Sequence, residues 1–133
     1  MVTGSIHQTI EFQASSSDVY EMLMDEKLHA IITGSDVTLN REVKGTFNVF
    51  DGYCSGYNMV LSPGEEIVQA WNFKEENWPA NHYSICTFKL KDIAGGCSLD
   101  FTQTGVPEQH IESLSEGWEQ YYWQPMKSYI EDK

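Results

Sequence analysis

At 133 residues the chain fits one domain, residues 1–133, and is long enough to bury a core without disulfide or metal staples. Hydrophobic residues at 41% and aromatics at 13% exclude a disordered chain, and no apolar run approaches a membrane span. Asp and Glu total 20 against 8 Lys and Arg, a net charge of -12 that repels nucleic acid and anionic membranes and leaves a basic protein surface as the favoured partner. An acidic surface also serves plain solubility.

The N-terminus has no basic region followed by an apolar stretch, so no signal peptide is expected. Segment 5–12 places Ile6, Ile10 and Phe12 on one parity with Gln8 interrupting, which predicts a strand. In "ASSSDVYEMLMDE", Ser15 is the expected N-cap with Asp18 three residues on, and Val19, Met22 and Leu23 recur at helical spacing. Asp25 opens a second short helix carrying Leu28, Ile31 and Ile32, and Gly34 stops it. From Asp36 to Thr104 the period is that of strands. Asp51-Gly52 predicts a type I′ hairpin turn, "SPGEE" and "DIAGG" predict turns, and "KEENWPANH" a loop. Alternation in "CSLDFTQT" predicts an antiparallel sheet with one buried face.

Residues 108–131 have helical periodicity, with Ile111, Leu114, Trp118, Tyr121, Tyr122, Met126 and Tyr129 on one broad stripe. Gly117 is expected to permit close approach to the sheet, and Pro125 to kink or break the helix near Tyr121 to Gln124. The segment "GWEQYYW" concentrates four large rings. At about 100° per residue, Trp118, Tyr121 and Tyr122 fall inside, while Trp123 shares a face with Glu112, Glu116 and Glu119. Three acids and an indole make a candidate contact for a basic partner. The same face also reads as an ordinary solvated surface, with Trp123 over a neighbouring loop.

The motifs of chemistry are sparse. His7, His29, His82 and His110 have no metal-ligand spacing, and Cys54, Cys86 and Cys97 lie far apart, as reduced thiols of a cytoplasmic protein would. "GYCSGY" reads as a twisted strand with glycines at a bulge or a close approach. No nucleophile elbow, phosphate loop or other catalytic constellation is identifiable, and no cofactor is implied.

Four segments carry a family resemblance: "IEFQASSSDVYEML", "IVQAWNF", "NWPANHYSICTFKL" and "TQTGVPEQHIESLSEGWEQYYWQPMKSYI". Together they resemble the activator of the 90-kDa heat-shock-protein ATPase, above all its C-terminal domain, within the START-like (SRPBCC) superfamily. The closing block is the most specific, because Gly-Val-Pro, Gly-Trp and Tyr-Tyr-Trp stand at the family's spacing. The resemblance implies an α+β helix-grip fold: a curved antiparallel sheet gripping a long C-terminal helix, with two short helices after the first strand. It implies a structural hydrogen-bonding role for His82, and a co-chaperone-like contact with the chaperone's nucleotide-binding end. The family's larger members carry an N-terminal domain that supplies most of the contact with the chaperone's middle segment. Asn72 stands where the family usually has a basic residue, and Pro125 where a helix former is expected.

Such folds also carry small hydrophobic ligands, or act as cyclases and hydrolases, in a cavity between sheet and helix. The expected lining is Phe47, Val49, Met59, Trp71, Phe88, Leu99, Phe101, Trp118 and Tyr122, with the hydroxyl of Tyr53, Tyr57 or Tyr122 holding a polar ligand end. The alternative is that these residues pack solidly and leave no cavity.

Overall fold

The computed structural model describes residues 2–132. Strand β1 (Thr3–Phe12) is followed by helices α1 (Ser16–Met24) and α2 (Glu26–Thr33). Six strands come next: β2 (Thr38–Leu39), β3 (Thr46–Val49), β4 (Cys54–Ser62), β5 (Glu66–Phe73), β6 (Ser84–Ile93) and β7 (Gly96–Pro107). With β1 they form one seven-stranded antiparallel sheet in the order β1-β7-β6-β5-β4-β3-β2, so the first and last strands pair. The capping residues act as their types dictate. Ser15 Oγ accepts from the Asp18 N–H at 3.1 Å, Asp25 Oδ1 accepts from Lys27 and Leu28, and Gly34 closes α2 in the left-handed conformation. Within α2 the buried pair is His29 and Ile32, whereas Ile31, expected inside, is 63% exposed.

The C-terminal helix has three parts: α3 (Ile111–Trp118), a π-helical turn (Glu119–Trp123) and α4 (Gln124–Glu131). Pro125 causes the break where it was expected. It has no N–H to offer the carbonyl of Tyr121, and its ring crowds that carbonyl. The chain widens instead, and the Gln124 N–H reaches the Glu119 carbonyl five residues back. The extra residue in this turn changes the phase of everything after Trp118. Tyr122 and Trp123 both turn into the core, and Tyr121 is left half-exposed.

Trp123 is therefore fully buried rather than on the acidic face. Its ring stacks on Trp118 with centroids 5.7 Å apart and planes at 19°, an i, i+5 contact that a regular α-helix would not make. Three of the core indoles share one arrangement. Trp123 Nε1–H donates to Gln8 Oε1 at 2.7 Å, Trp118 to Gln103 Oε1 at 2.7 Å and Trp71 to Gln69 Oε1 at 2.9 Å. Each glutamine then donates onward, to the Ser115 carbonyl, to Ser84 Oγ and to Asn58 Oδ1 respectively. Burying an indole N–H without a partner is costly, and these amides remove that cost. Gln8, which interrupted the apolar parity of β1, is there for Trp123.

Two glycines contrast in the space around them. An added Cβ at Gly56 would lie 1.8 Å from the Ala70 carbonyl oxygen, so β4 passes too close to β5 for any side chain there. At Gly117 the reverse holds, because an added Cβ would meet only Tyr121 Cδ2, at 3.9 Å. Gly117 does not mediate tight packing on the sheet; it borders open space.

Candidate functional site

That space is a cleft of about 510 Å³ between α3, the π-helical turn, strand β5 and the β3–β4 hairpin. The hairpin supplies one wall. Asp51 and Gly52 both have positive φ, as the type I′ turn requires, and the Tyr53 N–H donates to the Phe50 carbonyl at 3.1 Å. Phe50 is itself held at a φ of 55°, and its ring meets Tyr121 and Tyr122 edge-on. Strand β5 supplies the floor through Trp71 and Phe73, whose rings stack at 5.8 Å. The helix supplies the third wall through Ser113, Leu114, Gly117, Trp118, Tyr121 and Tyr122.

The polar groups of the cleft are few. Tyr53 donates its hydroxyl to Glu75 Oε1. Burial, and then the bond to Glu75, pushes the Tyr53 phenol well above its ordinary range. Cys54 is buried beside them, and burial, with a further contribution from Glu75, pushes its thiol up. Both effects favour the thiol over the thiolate. Behind Tyr122 lies His29. Its Nδ1–H donates to the Leu23 carbonyl at 2.9 Å, and its Nε2 accepts from the Tyr122 hydroxyl at 2.7 Å. Burial lowers the His29 pKa, which keeps the ring neutral and the tautomer fixed.

Of the nine residues expected to line a cavity, Trp71, Trp118 and Tyr122 do so. Phe47, Val49, Phe88, Leu99 and Phe101 belong to the packed core; Phe88 and Phe101 face each other across β6 and β7. Met59 is 39% exposed, because it shares the outward parity of Tyr57, opposite to the inward positions Cys54, Gly56 and Asn58 of β4. Tyr53 sits at the cleft with its hydroxyl on Glu75, whereas Tyr57 packs on Tyr83 away from it. Phe73 was legible, since it shares the parity of Trp71. Phe50 and Glu75 were not, because each lies in a connection whose path no periodicity sets. His82 has the structural role foreseen: its Nε2–H donates to the Gly105 carbonyl at 2.7 Å, while its own carbonyl accepts from Trp78 and Asn72.

On the outside of the same helix, Glu112, Glu116 and Glu119 are exposed, and Glu119 accepts from Gln124 Nε2 at 2.6 Å. Trp123 is not among them, so the face is acidic without an aromatic anchor. Among the described residues no group of three His, Cys, Asp or Glu side chains is placed to hold a metal, and no helix is long and apolar enough to cross a membrane.

An antiparallel sheet wrapped about a long C-terminal helix, with a cleft between them, defines a helix-grip protein of the START-like class. Within that class the chain belongs to the family described as Activator of Hsp90 ATPase homolog 1-like protein, whose model matches residues 13–131. It is 34% identical over 109 residues, 81% of the chain, to the Activator of 90 kDa heat shock protein ATPase homolog of Dictyostelium discoideum, of which it covers 28%. It is 30% identical over 116 residues, 87% of the chain, to homolog 1 of Homo sapiens, of which it covers 34%. The chain thus spans about a third of the length of these curated relatives. The fold matches that of an HSP90 activator from Plasmodium falciparum with a TM-score of 0.87 at 20% identity, covering 96% of each chain. It also matches the Aha1 dimer from Colwellia psychrerythraea, with a TM-score of 0.78 at 17% identity over 98% of this chain and 96% of that one.

Proposed function

We propose that this domain is a non-enzymatic, co-chaperone-like module that binds the nucleotide-binding end of the 90-kDa heat-shock chaperone. The observation that carries this reading is the family match across residues 13–131. The exposed acids Glu112, Glu116 and Glu119 support it, since a basic docking surface would be steered to them. Three free, buried thiols suit action in a reducing compartment such as the cytoplasm. The raised pKa values of Cys54 and Tyr53 favour binding over nucleophilic chemistry in the cleft. The test is a titration of isotope-labelled domain with the chaperone's nucleotide-binding domain, followed by amide shifts. Shifts gathered on the α3 acidic face, and weakened by salt, are expected. The absence of shifts at high partner concentration would overturn the reading for this domain.

A second reading, a carrier or sensor of a small hydrophobic ligand, has its own support. The cleft stays open although most of its lining is aromatic. Gly117→Leu places a side chain where the glycine leaves space, and it should abolish uptake of an apolar fluorophore such as 1-anilinonaphthalene-8-sulfonate without lowering Tm. Undiminished uptake in the variant would move the binding elsewhere.

A further inference from the structure

The polar groups of the cleft are biased towards one kind of ligand. Of its twelve lining residues seven are aromatic, one is a carboxylate, and none is Lys, Arg or His. Four hydroxyls line it, and three of these have their protons committed to the protein. Tyr53 donates to Glu75, Ser113 to the His110 carbonyl at 3.2 Å, and Tyr122 to His29. What Tyr53 and Glu75 present to the cleft is lone pairs. Trp71 and Phe73 stack at 29° on the floor, whereas the rings at the hairpin side meet steeply: Phe50 lies at 71° to Tyr121 and 88° to Tyr122, and Tyr53 at 73° to Phe73. Rings at such angles offer a cation several electron-rich faces at once.

We infer that the cleft takes an amphiphilic organic cation, an arylalkyl or alkyl amine whose body lies among the rings and whose ammonium sits at Glu75. This rests on the ligand-cavity reading above. An ammonium brings the donors that the cleft lacks and the charge that Glu75 and the net charge of -12 attract. A carboxylate ligand of the same shape would face Glu75 with no lining cation to offset it. A neutral alcohol would gain the apolar contacts and one hydrogen bond without the charge.

Three probes of one shape separate these cases by isothermal titration: 4-phenylbutylamine, 4-phenylbutan-1-ol and 4-phenylbutyrate. The amine is expected to bind roughly tenfold more tightly than the alcohol, with the butyrate weakest. Glu75→Gln, at an exposed position, should close the gap between amine and alcohol, with the larger loss on the amine. Gly117→Leu should remove binding of all three. Equal affinity for amine and alcohol, or an amine preference that survives Glu75→Gln, would overturn the cation assignment while the cavity reading stands. Failure of every probe to bind would overturn both. A lysine side chain of a partner protein carries the same ammonium without the aryl body. Nα-acetyl-lysine methylamide binding as tightly as phenylbutylamine would therefore overturn the small-amine assignment in favour of a protein ligand.

Discussion

Trp118 stands between two halves of one aromatic core, and only one half is closed. On the side of β1 and β7, Trp123 stacks on Trp118, meets Phe101 at 5.3 Å and Phe12 at 6.5 Å, and ends its N–H on Gln8. On the side of β5, Tyr122, Trp71 and Phe73 are just as large, yet they border a cleft. Ring size does not decide the difference; the backbone beneath the rings does. Strands β1 and β7 pair in unbroken register from Ile6 to Phe12 and carry continuous support under Trp123. The β3–β4 hairpin ends in a turn, so Phe50 and Tyr53 reach over the gap without filling it. The π-helical turn feeds both halves, because it sends Tyr122 to one side and Trp123 to the other.

The largest test of this contrast is Trp123→Ala. It empties a fully buried indole site in the closed half and should lower unfolding stability by about 3–5 kcal/mol, measured by urea denaturation. A drop below about 1 kcal/mol would mean that the closed half is not the mechanical centre of the domain. Gln8→Leu comes next. It leaves the Trp123 N–H without an acceptor and takes the side-chain donor from the Ser115 carbonyl, which keeps the Glu119 N–H, at a cost of about 1–3 kcal/mol. The double variant should cost less than the sum, since the two residues share one bond.

The same contrast explains what could be read in advance. The strands, caps and turns follow from period two, from Ser15 and Asp25 at helix starts, and from Asp51-Gly52, all of them local signals. Pro125 gave away the break in the last helix, but not its consequence. A break can straighten, kink or widen a helix, and only widening carries Trp123 inward. Met59 faces outward by the alternation of β4 itself, because the buried amide of Asn58 takes the inward position beside it. The cleft was harder still. Its walls come from four separate elements, and whether aromatic residues meet or stop short is a question of tertiary distance. Trp71, Trp118 and Tyr122 were identifiable as large inward groups, whereas the gap beside them was not.

His29 links the open half to α2, and it makes that half sensitive to acid. Its folded-state pKa is depressed by burial below the 6.5 of an exposed imidazole. The unfolded chain therefore binds a proton that the folded one refuses. The resulting stability is fully present above about pH 6.5 and is lost as pH falls through the folded-state value. Tm should decline across that window, while His29→Gln, less stable at neutral pH, should show a flatter profile there. Parallel profiles for the two proteins would assign the acid sensitivity to other groups.

The smallest effect is expected at Tyr121, and it sharpens the contrast most. Tyr121 is 50% exposed and touches Phe50 only across the mouth of the cleft. Tyr121→Leu removes a ring that neighbours Tyr122 in sequence but carries little of the fold. Stability should change by less than about 0.5 kcal/mol, against several for Trp123 two residues further on. The cleft, by contrast, loses one of its aromatic faces, so the affinity of an ammonium probe should fall while that of the matching alcohol holds. A Tm loss comparable to that of Trp123→Ala would show that the open half bears load after all. The two sides of Trp118 would then differ in shape but not in function.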